Sequence, residues 1–174
     1  MDFNLNTAIE ILERTPKVLA SLLEGLSDDW ILPNEGEETW SAFDVMGHLV
    51  HGEMTDWITR SEIILSEKTD KTFAPFDRFA QFEESKGKSM KNLLDEFADL
   101  RHKNLIKLKA MAIQPKDLSK TGTHPALGEV TLNHLLSTWV AHDLGHIAQI
   151  SRVMAKQYKD QVGPWQEYLP ILNR

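Results

Sequence analysis

Apolar residues recur at three- and four-residue spacing along four long stretches of the chain, and no stretch shows the sustained alternation of a half-buried strand. The first stretch covers about residues 5–26, with Ile9, Leu12, Val18, Leu19, Leu22, Leu23 and Leu26 as its apolar set. Thr15-Pro16 interrupts it. Threonine suits an N-cap and proline the first helical position, so a break or kink is predicted there. Gly25 and the Ser27-Asp28-Asp29 cluster end the stretch. The second opens at Ser41, where Ser41-x-x-Asp44 reads as a capping box, and carries Met46, Leu49, Val50, Trp57, Ile58, Ile64 and Leu65. The third opens near Ser89, repeats Leu93, Phe97, Leu100, Leu108 and Met111, and stops before Pro115. The fourth runs from near Thr131 to about residue 158. Gly163-Pro164 terminates it, and the tail WQEYLPIL is expected to fold back as an apolar cap.

The connectors set the topology. Short loops make neighbouring helices antiparallel, whereas parallel neighbours need a long crossover. Residues 67–88 are long enough to run back along a helix of about 25 residues at roughly 1.5 Å rise per residue, so the second and third helices are predicted to be parallel. The expected fold is all-α: a four-helix bundle with a long crossover between helices two and three, in one domain over residues 1–174.

Composition narrows the chemistry. The chain has no cysteine, which excludes disulfides, thiolate ligands and a cysteine nucleophile. With 26 acidic against 19 basic residues the formal charge is −7, a balance that repels phosphate backbones and anionic lipid, so neither nucleic acid nor membrane is an expected partner. The N-terminal MDFNLNTAIE lacks the basic and apolar regions of a signal peptide, and a cytoplasmic location is expected. KGKS at residues 86–89 resembles the end of a phosphate-binding loop, but Phe82 stands where the first glycine belongs.

Histidines carry the strongest chemical signal. His142 and His146 in HDLGH are four residues apart on the most apolar helix, about 40° apart on its wheel, and their β-carbons lie roughly 5–6 Å apart. Two imidazoles so placed can converge on one cation at about 2.0–2.1 Å. The plainer alternative is that each buried ring pairs with a backbone carbonyl or a carboxylate such as Asp143. A third ligand could come from helix two, where either His48 or His51 in GHLVH could face the last helix; they differ by about 60° on the wheel, so only one is expected to point fully inward. Asp143 stands where the zincin HExxH has glutamate; it is shorter and points elsewhere, so it is assigned a role in orienting ligands. Glu53, Asp56 and Gln149 are candidates for polar groups lining the site.

The stretches TWSAFDVMGHLVHGE and WVAHDLGHIAQI, the latter followed by VGPWQEYL, resemble the DinB-like superfamily of metal-binding bundles. The resemblance runs from RTPKVLASLLEGL to the C-terminal cap. It implies helices in up-down-down-up order, a homodimer, and a divalent metal, zinc or nickel foremost, held by one histidine of helix two and the two of HxxxH. Carried onto this chain, the metal ligands are His48, His142 and His146, with His51 as second choice. It further implies an enzyme acting on a small-molecule substrate. Relatives include transferases that activate a low-molecular-weight thiol, while others are described as hydrolases, whose nucleophile is water. The alternative is a non-catalytic metal-stabilised binding or dimerisation module. A pocket open to solvent favours the enzyme, and a fourth protein ligand favours the module. The crossover FAPFDRFAQFEESKG, with Phe73, Phe76, Phe79 and Phe82, either packs over one end of the bundle or walls the pocket. In the second case Arg78 offers a bidentate anchor for a carboxylate.

Overall fold

The computed structural model describes residues 2–173. The first helical stretch is two helices, α1 (Leu5–Leu12) and α2 (Thr15–Leu23), with Pro16 in the first turn of α2. Thr15 is not the N-cap. It lies inside α2, and its hydroxyl donates back to the Ile11 carbonyl at 3.2 Å. Gly25 follows α2 at φ +77°, a left-handed conformation that glycine adopts without steric cost. A one-turn helix α3 (Asp28–Ile31) leads into α4 (Ala42–Thr55). Ser41 and Asp44 form the expected capping box: the Ser41 hydroxyl accepts from the Asp44 N–H at 3.1 Å, and Asp44 accepts from the Ser41 N–H at 2.9 Å.

The second stretch also breaks, at Asp56 (φ −105°, ψ −75°), and resumes as α5 (Trp57–Leu65). Hydroxyls on both sides, Thr55 to the His51 carbonyl and Ser61 to the Trp57 carbonyl, bond back into the helix, an arrangement that bends helices. The crossover contains a short helix, α6 (Ala80–Glu84), before α7 (Met90–Ala110). The last long helix is α8 (Leu132–Lys156), capped by Thr131.

Two apolar clusters fix the directions of the helices. One gathers Leu19 and Leu23, the N-terminal part of α4 (Val45, Met46, Leu49), the N-terminal part of α7 (Leu93, Phe97) and Ile150 near the end of α8. The other gathers Ile9 and Leu12, the whole of α5's inner face (Trp57, Ile58, Ile64), the C-terminal Leu105 and Leu108 of α7, and Leu132, Leu136 and Trp139 at the start of α8. Moving along the second helix therefore means moving the same way along the third and the opposite way along the first and fourth. This is the up-down-down-up bundle, with parallel central helices joined by the crossover.

Two expectations need correction. The chain contains a small antiparallel hairpin, β1 (Thr121–His124) with β2 (Gly128–Thr131), paired from Thr121↔Thr131 to His124↔Gly128. The crossover joins its edge through Phe73 N–H to the Thr123 carbonyl and Thr123 N–H to the Lys71 carbonyl, both 2.9 Å. Gly122 permits this contact, since a β-carbon there would meet the Phe73 ring at 2.6 Å. The tail folds back through short 3₁₀ turns at Gly163–Tyr168 and Pro170–Leu172, but only Leu172 is buried. Trp165 and Tyr168 are 70% and 79% exposed, so the tail anchors by one side chain and does not form an apolar cap. Among the described residues, no helix is long and apolar enough to cross a membrane.

Candidate metal centre

The parallel second and third helices, with α8 beside them, bring three histidines together. His48 comes from α4, and His142 and His146 from successive turns of α8. His142 Nε2 lies 3.1 Å from His48 Nε2 and 3.0 Å from His146 Nε2. A ring nitrogen carries either one lone pair or one hydrogen, and neither serves two neighbouring nitrogens well. A cation does. Ligands about 2.0–2.1 Å from a zinc-sized ion, at angles between octahedral and tetrahedral, lie roughly 2.9–3.4 Å from one another. The donor atoms of all three histidines fall within 4.8 Å of each other, and among the described residues no fourth histidine or carboxylate joins them.

Electrostatics keep these rings neutral, the form in which imidazole binds metal. Burial foremost, with neighbouring histidines adding to it, pushes His48 down to about 3 and His142 down to about 2. Burial also lowers His146, against opposing pulls from Gln149 and Asp143. His146 Nδ1 lies 2.8 Å from Gln149 Oε1, which as acceptor places the hydrogen on Nδ1 and frees Nε2. The Nδ1 atoms of His48 and His142 are buried without a hydrogen-bond partner. His51 faces away from the cluster, with its Nδ1 2.8 Å from Glu84 Oε2, and so ties α4 to α6.

Aromatic rings enclose the histidines. Trp40 and Phe76 lie 4.9 and 5.4 Å from the His48 ring, and Trp57 lies 5.1 Å from the His142 ring while stacking on Trp139 at 5.6 Å. The three histidines open into a cavity of about 840 Å³. Trp57, Phe73, Phe76, Leu135 and the hairpin's Leu127 and Val130 wall it, with Asp56, Arg60, Arg78, Gln149 and Arg152 as its polar lining. The crossover thus divides its aromatic residues. Phe73 is buried, Phe76 half-buried against the histidines, and Phe79 and Phe82 are 60% and 42% exposed.

Behind this cluster lies a second one that periodicity did not reveal. Arg101 of α7, 1% exposed, donates to both Asp143 oxygens at 2.6 and 3.0 Å, to Glu53 Oε1 at 2.8 Å and to the Leu12 carbonyl at 2.9 Å. One guanidinium thereby joins all four long helical stretches. Trp139 Nε1 donates to Glu53 Oε1 at 3.1 Å, and Asn104 Nδ2 to Glu53 Oε2 at 3.0 Å. Burial alone would lower the Arg101 pKa, but Glu53 and Asp143 outweigh it and the net shift is upward. Every partner of these carboxylate oxygens is a donor, so two anions face one cation, and the cluster carries one surplus negative charge beside the histidines. Two expectations are revised by this. Asp143 hydrogen-bonds to no histidine and orients Arg101, because its Cβ points to the core side of α8. Glu53 belongs to the same buried network and does not line the cavity, unlike Asp56 and Gln149.

Comparisons with known proteins agree with this architecture. A family model described as the DinB superfamily matches residues 11–150. Two proteins named "Putative metal-dependent hydrolase" are similar in sequence. The one from Bacillus mycoides (strain KBAB4) is 27% identical over 82% of this chain and 81% of its own, and the one from Bacillus cereus (strain B4264) is 26% identical over 84% and 83%. YfiT from Bacillus subtilis, a probable metal-dependent hydrolase with an unusual four-helix bundle topology, superposes with a TM-score of 0.72 at 20% identity, over 90% of this chain and 87% of YfiT. TT2238, a four-helix bundle protein, does so at 0.56 and 18%, over 85% and 98%. The bundle order, the clustered histidines and the extent of the family match lead to one conclusion: this chain belongs to the DinB superfamily.

Proposed function

We propose that the chain is a metal-dependent enzyme in which Nε2 of His48, His142 and His146 holds a divalent cation, zinc or nickel, facing a small-molecule substrate in the adjoining cavity. One observation carries this reading: three neutral ring nitrogens converge at ligand spacing on the wall of an open cavity. When bound, such an ion would supply Lewis acidity and lower the pKa of a water or thiol at its open position. The names borne by the relatives favour water as the nucleophile and hydrolysis as the reaction. Transfer to a small thiol is the second form of the same chemistry.

The chain's own residues serve three tasks. Gln149 holds the tautomer of His146. Trp40, Trp57 and Phe76 pack around the histidines as apolar walls, which strengthens electrostatics at the site. Asp56 lines the cavity with its carboxyl raised by burial, while Arg60 at 2.5 Å pulls the other way, and the two form a matched polar pair on the cavity wall. The open cavity and the lack of a fourth ligand among the described residues weigh against a purely structural metal site.

The test is turnover by metal-loaded and chelator-treated protein on two panels, aryl esters for hydrolysis and an aryl halide with a low-molecular-weight thiol for transfer. Turnover in one panel is expected, lost with chelator and in His142→Ala. Equal rates with and without metal in both panels would refute the reading.

A further inference from the structure

Three arginines line the cavity, and two of them are already matched. Arg60 pairs with Asp56 at 2.5 Å. Arg152 pairs with Glu35 through Nε at 2.8 Å and a terminal nitrogen at 2.7 Å, and Lys156 joins the same carboxylate. Arg78 differs. Among the described residues it forms no ion pair and no hydrogen bond. Its guanidinium is held only by ring faces, 5.3 Å from the Trp40 centroid and 5.4 Å from that of Phe79. Glu38, another charge on the cavity wall, forms no ion pair with it.

Among the described residues no acceptor meets the five N–H donors along the guanidinium's edge, whose fork fits a carboxylate. Trp40, the ring beneath Arg78, is also the ring against His48, at 4.9 Å. The free edge is therefore about one aromatic ring away from the histidine cluster. Two further histidines line the cavity, His124 of the hairpin and His134 in the first turn of α8. His124 Nδ1 accepts from the Ala126 and Leu127 N–H groups at 3.1 and 3.2 Å, and His134 Nδ1 accepts from the Thr131 N–H at 3.3 Å. Each ring thus carries its hydrogen on Nε2. The apolar part of the cavity wall is Trp57, Phe73, Phe76 and Leu135, with the Asp56–Arg60 ion pair among them.

Building on the cavity reading above, we propose that Arg78 is the carboxylate anchor of the substrate, which is a monoanionic carboxylic acid with an apolar or aromatic body. One unmatched guanidinium balances one negative charge. The apolar body lies along the aromatic wall toward the histidines, and the neutral His124 and His134 donors serve polar groups of the ligand without adding charge.

Calorimetric titration tests this with 4-phenylbutyrate and its uncharged amide, on metal-loaded and chelator-treated protein. Wild type is expected to prefer the carboxylate at least tenfold in both states. Arg78→Ala should abolish the preference by weakening the carboxylate alone, and Arg78→Lys should keep part of it, since lysine offers charge without the fork. Arg78 sits on the exposed part of the crossover, so these variants leave the core intact. His142→Ala should retain the preference, which separates this anchor from the metal reading. Equal affinity for acid and amide in wild type, a preference surviving in Arg78→Ala, or no saturable binding of either probe would overturn the proposal. So would a preference that needs metal and disappears in His142→Ala, for then the carboxylate sits on the ion.

Discussion

Two buried polar clusters share the same pair of helices and have opposite characters. On α4, His48 and Glu53 lie little more than a turn apart; on α8, His142 and Asp143 are neighbours. Glu53 and Asp143 turn to the core, where Arg101, Asn104 and Trp139 meet every carboxylate oxygen with a donor; of the guanidinium nitrogens, Nε alone lacks a partner. His48 and His142 turn to the cavity, where ring nitrogen meets ring nitrogen and two Nδ1 atoms go unpartnered. Matched polar groups in a core specify one arrangement of helices, while unmatched ones mark where a protein holds something it does not itself supply. The closed cluster also fixes the spacing of α4 and α8, and hence of the three Nε2 atoms, and it places surplus negative charge behind a site for a cation.

The contrast can be broken most forcefully at Arg101. Replacing it with alanine leaves Glu53 and Asp143 buried without their cation, and a loss of about 3–5 kcal/mol in unfolding free energy is expected from urea titration. Adding Glu53→Gln and Asp143→Asn to Arg101→Met should recover much of that stability. Cation affinity should stay weak in the recovered protein, because the surplus charge and the tether are both gone; wild-type affinity there would mean that the closed cluster does not support the open one.

The open cluster should behave in the reverse way. Saturating zinc at about 100 times its dissociation constant should raise wild-type stability by about 2.7 kcal/mol and leave His142→Ala unmoved, as seen by thermal unfolding with and without metal. Acid should expose the same difference without metal. His48 and His142 resist protonation when folded, down to about 3 and about 2, whereas unfolded histidine takes its proton near 6.5. The unfolded chain therefore binds more protons below 6.5, and stability of the metal-free protein falls as pH drops from 6.5 toward 3. Between pH 6.5 and 5 this amounts to roughly 2 kcal/mol for each such histidine, and His142→Ala should lose its share of the slope. The smallest effect on the metal belongs to His51→Ala, which removes the pair with Glu84 and leaves metal content unchanged.

Much of the bundle was legible because its signals are local. The capping residues Ser41 and Ser89, Pro16, Gly25 and the apolar spacing each act over one or two turns, and the crossover's length set its direction. What stayed hidden depends on distant partners. Asp143 meets Arg101, 42 residues away, and nothing in HDLGH marks which way that carboxylate turns. The choice between His48 and His51 is one of packing: both are buried, and only α6, which supplies Glu84, separates their roles. The hairpin escaped notice because TGTH and GEVT are four residues each with almost no apolar alternation, and their pairing rests on Gly122 beneath Phe73. That His142 and His146 face the same way, by contrast, was evident from spacing alone, since i and i+4 share a helix face whatever lies opposite.

The most direct measurement is the metal content of untagged protein purified without chelators, beside His142→Ala/His146→Ala. Close to one divalent ion per chain is expected in wild type and none in the double variant, which should remain folded because the Arg101 cluster is intact. Wild type that holds no metal even after soaking with zinc or nickel, or a double variant that holds as much as wild type, would contradict a three-histidine metal centre.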